Sequence, residues 1–222
     1  MLPCARCAFE KLARRIVSNG HRVAVYACSA TTSYGGQAAR IQGVPMGDLI
    51  LDVQPFASES DYDRMIDYFR LADESQLRAM GVDRHRIPAR EEWLARLLPD
   101  LERPAPQKQT YYLIWRRDGM PVGHSSANQI VYQEQAFVHL HLWCASQRRG
   151  GMGQRFFELS LRMFISQLRL RRVISEPYAE NRAPNRVLEH AGFRLARRYR
   201  TTPGLINFEQ EVNRWELDVT AD

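Results

Sequence analysis

Apolar and polar side chains alternate with a period of two through residues 137–143. The apolar set contains Val138, Leu140 and Leu142, and the opposite set contains His139, His141 and Trp143. This alternation is typical of a half-buried strand. After a glycine-rich turn, apolar residues recur at helical spacing and predict a long amphipathic helix. They are Phe157, Leu161, Phe164 and Leu168.

Similar patterns divide the rest of the chain into strands and helices. Further strands are predicted over residues 48–55, 111–116, 122–132, 173–178, 194–199 and 206–218. Helices are predicted over residues 9–17, 58–69, 74–80 and 90–98, with a short one after Asn181. The dipeptide Asp118-Gly119 predicts a hairpin turn. Three antiparallel strands therefore lead into the glycine-rich turn.

The turn between the strand and the long helix is a candidate anion site. A helix that opens directly after glycines leaves backbone N–H groups without carbonyl partners, and these groups attract anions. A P-loop is excluded, because it needs Lys followed by Ser or Thr after its second glycine. A dinucleotide-binding turn is excluded as well, because Phe156 stands where its third glycine is required.

Composition indicates a soluble globular protein with a basic charge. The 222 residues are 45% hydrophobic and 25% charged, and no apolar run approaches the roughly 18 residues that span a bilayer. The formal charge of +6 comes almost wholly from arginine, since Lys11 and Lys108 are the only lysines. Such a charge favours an acidic ligand. Nucleic acid is not favoured, because no nucleic-acid-binding motif accompanies the charge.

The first 45 residues are the least informative part of the sequence. Cys4, Cys7, His21 and Cys28 could supply four metal ligands, but their spacing matches none of the usual zinc patterns. We therefore expect free thiols and no metal. The short apolar run near Cys28 makes a poor signal peptide. Residues 1–45 are interpreted as an extension of unclear role or non-native sequence, and residues 46–222 as the functional domain.

Two ordered motifs carry a resemblance to a known family. The turn reads Arg148-x-x-Gly151-x-Gly153 and resembles the acetyl-CoA pyrophosphate loop of the GNAT N-acetyltransferase superfamily. Residues 172–193 then read RVISEPYAENRAPNRVLEHAGF. This block resembles the second GNAT motif, above all in the Rim-type branch that acetylates the N-termini of ribosomal proteins. Pro184 replaces the usual Ser, and the first turn of a helix tolerates this replacement.

The resemblance implies both a fold and an activity. The expected architecture is an α/β GNAT fold, with a mixed, mainly antiparallel central sheet and helices on both faces. The expected reaction moves the acetyl group of acetyl-CoA directly to a primary amine, either a protein N-terminus or a small molecule. A non-catalytic, acyl-CoA-binding regulatory protein is the alternative. A cytoplasmic location is expected, no membrane partner is expected, and a homodimer is left open.

The resemblance also assigns cofactor-binding residues. The pantetheine arm is expected along the backbone of Leu142 and Trp143, where one N–H also receives the oxyanion. The pyrophosphate is expected on Arg148, Arg149, Gly150, Gly151, Met152 and Gly153. Two asparagines of the second motif, Asn181 and Asn185, are expected beside the cofactor.

Candidate catalytic residues follow from the need to deprotonate the amine. His141 is the better placed of the two strand histidines, and Glu176 is a second candidate base or an anchor for a cationic acceptor. Many GNAT enzymes carry a Tyr that protonates the thiolate, but Leu188 occupies that position here. Tyr178 is the candidate substitute. Cys144 could form an acyl-cysteine intermediate, but members of the GNAT family usually transfer the acetyl group directly to the amine.

Overall fold

The computed structural model describes residues 14–18, 21–25, 40–143 and 150–219. In the first two ranges, β1 (Arg14–Ser18) and β2 (His21–Val25) form a separate antiparallel hairpin. The helix predicted over residues 9–17 is therefore wrong from Arg14 onward. Ile16 and Val17 favour an extended strand, and pairing with β2 outweighs the helical spacing. Cys4, Cys7, Cys28, Cys144, Arg148 and Arg149 lie outside the described residues.

One sheet of eight strands forms the centre of the protein. Its strands are β3 (Ile41–Met46), β4 (Leu49–Pro55), β5 (Tyr111–Arg117), β6 (Met120–Val131), β7 (Gln135–Leu142), β8 (Arg172–Ser175), β9 (Arg194–Thr201) and β10 (Gln210–Asp218). The spatial order is β3-β4-β5-β6-β7-β8-β10-β9. All neighbours are antiparallel except β7 and β8. The predicted mixed, mainly antiparallel sheet is confirmed.

The edge strand β3 is an element that the sequence pattern did not predict. Gly43 and Pro45 interrupt its apolar alternation, and a turn at Gly47, with a φ of 61°, leads into β4. Because β3 pairs with β4 in the central sheet, the boundary placed between residues 45 and 46 falls inside a strand. The role of residues 1–45 stays open.

Helices cover both faces of the sheet, as predicted. On one face lie α1 (Glu59–Arg70), α2 (Glu74–Ala79) and α3 (Arg90–Leu97), which pack in one apolar cluster with Ile114 of β5. On the other lie α4 (Met152–Leu168) and α5 (Arg182–His190). Within the described ranges, none of these helices combines the length and hydropathy that a membrane span requires.

Candidate functional site

A gap opens in the sheet where its only parallel pair of strands separates. Pairing between β7 and β8 ends at Phe137 and Ile174, although β7 continues to Leu142. The last link is the Ser175 hydroxyl, which donates to the carbonyl oxygen of Val138 at 2.7 Å. Beyond it the edge of β7 that faces β8 is not covered by that strand. An extended ligand with amide groups fits such an edge.

The direction of each backbone group of β7 follows from its pairing with β6. The Trp143 N–H donates to the carbonyl oxygen of Val122 at 2.9 Å, so it points toward β6 and away from the gap. Strand geometry alternates, and the backbone groups of Leu140 and Leu142 therefore face the gap. The pantetheine arm was expected along the backbone of Leu142 and Trp143. In this geometry Leu142 and Leu140 direct backbone groups to the gap, whereas the Trp143 N–H does not.

The start of α4 lies next along the chain from β7 and carries backbone donors without a partner in the described part of the chain. Gly150 and Gly151 have φ values of 80° and 76°, a left-handed conformation that glycine adopts without strain. Gly151 is the N-cap residue, with no side-chain cap and no acidic residue in the first turn. The first helical bond runs from Arg155 N–H to Gly151 C=O at 3.0 Å. The N–H groups of the three intervening residues have no backbone partner among the described residues, and such groups at a helix start attract anions.

Space is available around this turn. A Cβ atom added at Gly150, Gly151 or Gly153 would meet no protein atom within 4 Å among the described residues. The side chain of Met152 is buried in the core that α4 forms with the sheet. Met152 can therefore offer only its backbone to a ligand. These features match the anion-binding turn that the sequence predicts.

A pair of stacked histidines lies on the sheet face that α1 covers. The rings of His124 in β6 and His141 in β7 are 4.8 Å apart with an interplanar angle of 16°. The Trp143 indole N–H donates to Nδ1 of His124 at 2.8 Å, so that nitrogen carries no proton. Burial, with help from His141 and His139, lowers the pKa of His124 well below its ordinary value. His124 is therefore neutral.

His141 sits in an aromatic cage rather than in open solvent. The rings of Tyr68 and Phe69, both from α1, approach it edge-on at centroid distances of 5.6 and 5.1 Å. His124, which the sequence analysis missed, forms the third wall of this cage. The signal that could have found His124 is the register of β6 against β7, which pairs His124 with His141 across the strands.

His139 has a buried ring nitrogen that lacks a hydrogen-bond partner. Its Nε2 atom is buried and has no hydrogen-bond partner among the described residues. Burial lowers the pKa of His139 to about 4, although the charge of Glu176 acts in the opposite direction. His139 and Glu176 are thus close enough to interact, and they flank the gap from β7 and from the end of β8.

Glu176 is held firmly by two donors. Its Oε1 atom accepts from the Tyr199 hydroxyl at 2.6 Å and from Nη1 of Arg214 at 2.8 Å. Arg214 also donates from Nε to Glu216 at 2.7 Å. Arg214 therefore links two carboxylates on the sheet face that carries His124, His139 and His141. We call this face the histidine face. Tyr199 and Arg214 were not identified from the sequence, because β9 and β10 bring them to Glu176 from far along the chain.

The second motif is organised by Asn185. Its Nδ2 group donates to the carbonyl oxygens of Tyr178 and Asn181 at 3.0 and 2.8 Å. Its Oδ1 atom accepts from Asn213 Nδ2 and Trp215 Nε1 at 2.8 and 2.7 Å. The side chain thus joins the loop after β8, α5 and β10. Any cofactor contact from this side chain has to displace one of these four bonds.

Asn181 and Tyr178 occupy the loop between β8 and α5. Asn181 is the N-cap of α5, and its half-buried side chain makes no cap hydrogen bond. It is therefore the better placed of the two asparagines to contact a ligand. The Tyr178 hydroxyl donates to Glu180 at 3.1 Å, and burial together with Glu180 raises the pKa of Tyr178. No described contact joins Tyr178 to His141 or to Glu176.

Comparisons with known proteins agree with this geometry. Residues 51–194 match the family model described as acetyltransferase (GNAT) domain. A search of curated proteins finds no match. The structure is similar to RimL, a ribosomal L7/L12 alpha-N-protein acetyltransferase in complex with coenzyme A, with a TM-score of 0.64 at 16% identity, over 82% of this chain and 100% of that one.

Two further solved structures show the same fold. One is Mycobacterium smegmatis RimJ in complex with CoA-disulfide, with a TM-score of 0.61 at 17% identity, over 76% of this chain and 82% of that one. The other is spermidine N-acetyltransferase from Vibrio cholerae in complex with CoA and spermine. Its TM-score is 0.61 at 13% identity, over 76% of this chain and 95% of that one. At these identities the likeness concerns the fold.

Proposed function

Because this chain belongs to the GNAT acetyltransferase family, we propose that it transfers the acetyl group of acetyl-CoA to a primary amine. The observation that carries the proposal is the opening between β7 and β8, with the uncapped start of α4 next along the chain. The opening between the strands suits a thioester arm with amide groups. The uncapped helix start suits a diphosphate. Since this reaction uses cytosolic acetyl-CoA, we also propose a cytoplasmic location.

The donor is bound mainly by backbone groups. The N–H groups of Gly150, Gly151, Met152 and Gly153 bind the pyrophosphate, and the sequence motif assigns Arg148 and Arg149, which lie outside the described residues, to the same ligand. The helix dipole of α4 contributes up to about 2 kcal/mol in a favourable geometry. The pantetheine amides pair with the β7 edge at Leu140 and Leu142. An N–H on that edge stabilises the oxyanion by about 3 kcal/mol.

The chemical step joins the amine nitrogen to the thioester carbonyl carbon and breaks the bond from that carbon to sulfur. The ammonium form of the acceptor must first lose a proton. His141 and Glu176 are the candidate bases, and they differ in surroundings. Glu176 is fixed by Tyr199 and Arg214, which suits an anchor for a cationic acceptor, whereas His141 lies in an aromatic cage.

The leaving thiolate takes up a proton to become the thiol. Tyr178 is the proposed donor. Its hydroxyl is protonated at neutral pH, and its raised pKa makes it a weaker acid than a free phenol. Leu188, which stands at the usual position of the acid, is fully buried and cannot donate. A thiolate is a tolerable leaving group, so we expect Tyr178→Phe to lower the rate modestly rather than to abolish it.

The acceptor is a primary amine of one of two classes. The RimL protein acts on a ribosomal protein N-terminus, and the Vibrio cholerae protein acts on spermidine. Glu176 and Glu216 share Arg214, and Glu216 also pairs with Arg194 at 3.8 Å, so these carboxylates do not select between the two classes. A panel that contains peptide N-termini, spermidine and amino acids separates the two classes by thiol release.

Binding of the donor is tested with Gly151→Asp. The new carboxylate lies at the diphosphate site and requires a strained backbone, so we expect the rise in melting temperature with saturating acetyl-CoA to disappear. Gly47→Asp is the matched control, because Gly47 also has a positive φ of 61° and open space around its Cβ direction. An unchanged melting temperature of the native protein with acetyl-CoA, or full activity of Gly151→Asp, overturns the proposal.

The choice of base is tested by the pH dependence of kcat/KM. Loss of the base moves or removes the acidic limb of the profile, so His141→Ala and Glu176→Gln are compared with the native protein. We expect one of the two variants to lose this limb. If both keep it, neither residue is the base.

The alternative function is that of an acyl-CoA-binding regulator. The observations that favour it are the buried Leu188 at the position of the acid and the engagement of Glu176 by Arg214. This alternative predicts a thermal shift with acetyl-CoA and no thiol release with any amine of the panel. Turnover with a single amine excludes it.

A further inference from the structure

A pocket far from the start of α4 has no role in the proposed reaction. Its volume is about 500 Å³, within the range of ligand sites. It lies between the first residues of β5, the α1 residue Tyr62, residues 100–110 and the end of α4. Gln167 lines the pocket, and at 1.5 Å per residue this position is about 24 Å along α4 from Gly151. We name this pocket the tyrosine pocket.

Three tyrosines line the tyrosine pocket with unused hydroxyl groups. Tyr62 and Tyr111 are 3% and 8% exposed. Tyr112 follows Tyr111 in β5 and places its ring on the opposite face of the sheet, against Phe56 and Tyr62. None of the three hydroxyls makes a hydrogen bond to a described residue, whereas those of Tyr68 and Tyr199 do. Their oxygen atoms are not among the buried side-chain atoms that lack a partner, so each reaches solvent. These hydroxyls are therefore available to donate to a ligand.

The protonation state of the three tyrosines supports this role. Burial, together with nearby Tyr112 and acidic groups, raises the pKa of Tyr62, and burial alone raises that of Tyr111. Burial and Asp100 raise the pKa of Tyr112 to about 12. All three stay protonated across the physiological range. They can donate hydrogen bonds to an acceptor, and they resist forming negative charge.

A half-buried cation completes the donor set. The Lys108 ammonium donates to the carbonyl oxygens of Asp100 and Leu101 at 2.5 and 3.2 Å, and it lies 5.5 Å from the ring centroid of Tyr111. Both partners are neutral carbonyl groups. Burial lowers the pKa of Lys108, and the attraction of Asp100 does not cancel this effect. An ammonium in such surroundings gains from a bound anion.

The one buried carboxylate of the pocket is already satisfied. Asp100 accepts from Arg103 at 2.7 Å, from the N–H groups of Gln109 and Thr110 at 3.0 and 2.6 Å, and from the Thr110 hydroxyl at 2.8 Å. Burial tends to raise the pKa of Asp100, but these hydrogen bonds outweigh it and lower the pKa. The Asp100 carboxylate is thus paired with Arg103 and hydrogen-bonded to the backbone. The Lys108 ammonium remains available to a ligand.

We propose that the tyrosine pocket binds a small molecule with a flat apolar body and one anionic group, a carboxylate or a phosphate. The anion lies at the Lys108 ammonium and accepts hydrogen bonds from the phenol groups. The flat body packs on the rings of Phe56 and Tyr62, which contact each other on one side of the pocket. The pocket adjoins the histidine face, since the lining rings of Phe56 and Tyr112 lie 6.4 and 6.3 Å from the ring of His124, but it is distant from the start of α4, where the diphosphate is proposed.

Phenyl phosphate and benzoate are the probes, with benzylamine and benzyl alcohol as matched molecules that lack the negative charge. Binding to the full chain is measured by calorimetry and by ligand-observed NMR, with and without saturating acetyl-CoA. We expect the anionic probes to bind at least tenfold more tightly than their uncharged and cationic counterparts. Acetyl-CoA should leave this binding unchanged.

Variants identify the site. Lys108→Gln should raise the dissociation constant of phenyl phosphate at least tenfold, and Tyr62→Phe combined with Tyr111→Phe should raise it severalfold. The controls Arg70→Gln and Tyr132→Phe change an exposed cation and a tyrosine outside the pocket, and they should leave it unchanged. If Lys108→Gln fails to fold, the double tyrosine variant decides. Equal binding of benzylamine, no binding of either anionic probe, or undiminished binding in these variants overturns the proposal.

Discussion

The two faces of the central sheet are filled with different chemistry. The face toward α4 holds large apolar side chains without solvent exposure, among them Trp115, Phe156, Phe157 and Phe164. The face toward α1 holds His124, His139, His141 and Glu176 around the gap between β7 and β8. Both faces carry an apolar core, but among the described residues the face toward α1 is the one that also places ionisable groups beside the gap.

Even the polar atoms of the α4 face serve packing. Trp115 stacks on Phe156 with centroids 5.2 Å apart, and its indole N–H donates to the Ser160 and Ser125 hydroxyls at 2.7 and 3.3 Å. None of these groups changes its charge near neutral pH. On the histidine face the imidazoles of His124 and His139 are neutral, because burial lowers their pKa values. The contrast predicts that the two faces respond to different perturbations.

The largest expected effect comes from opening a cavity on the α4 face. Phe156→Ala removes a fully buried ring that stacks on Trp115, so we expect the free energy of unfolding to fall by about 3 to 5 kcal/mol. Urea denaturation measures it. Leu71→Ala is the control, because Leu71 is 80% exposed and its loss should change stability by less than about 0.5 kcal/mol. A cost below about 1 kcal/mol for Phe156→Ala would contradict the assignment of the core to this face.

The histidine face should make the protein sensitive to mild acid. The pKa of His139 is about 4 in the folded protein and about 6.5 in an unfolded chain. Above pH 6.5 both states are unprotonated, and below it the unfolded state binds the proton first. Stability should therefore fall as the pH drops from 6.5 to 4, by up to about 3 kcal/mol from His139 alone. His124, whose pKa is also lowered, adds to this loss.

The source of this acid sensitivity can be isolated with variants. His139→Gln should flatten the dependence of the free energy of unfolding on pH between 6.5 and 4, as measured by urea denaturation at several pH values. His85→Gln changes an exposed histidine and should leave the slope as it is. The carboxyl groups with lowered pKa values, such as Asp100, act below this window. An unchanged slope in His139→Gln would show that the histidine face is not the acid-sensitive region.

The α4 face could be predicted from the sequence far better than the histidine face. The period of two in β7 and the helical spacing in α4 are local signals, and both elements lie where the pattern placed them. The glycines before α4 were also identified locally. β3 was missed because Gly43 and Pro45 interrupt its alternation. Its place in the sheet depends on pairing with β4, and a local pattern does not report pairing.

The histidine face is assembled from residues that are distant in sequence. Tyr199 and Arg214 reach Glu176 across 23 and 38 residues. His124 meets His141 only because the β6–β7 hairpin sets their register. Asn185 was expected beside the cofactor from motif position alone, whereas its four bonds depend on β10 and the loop after β8. Side-chain partners of this kind follow from strand register, which the sequence pattern leaves open.

The smallest effect concerns the polar atoms of the α4 face. Ser160→Ala removes the shorter of the two bonds from the Trp115 indole, but Ser125 remains as a partner. We therefore expect a loss of about 1 kcal/mol from Ser160→Ala, and about 2 to 3 kcal/mol when Ser125→Ala is added and the buried N–H loses both partners. Neither variant should alter the pH dependence of stability or the response of the melting temperature to acetyl-CoA. A change in either property would mean that the α4 face contributes to the chemistry of the site, and the division between the two faces would fail.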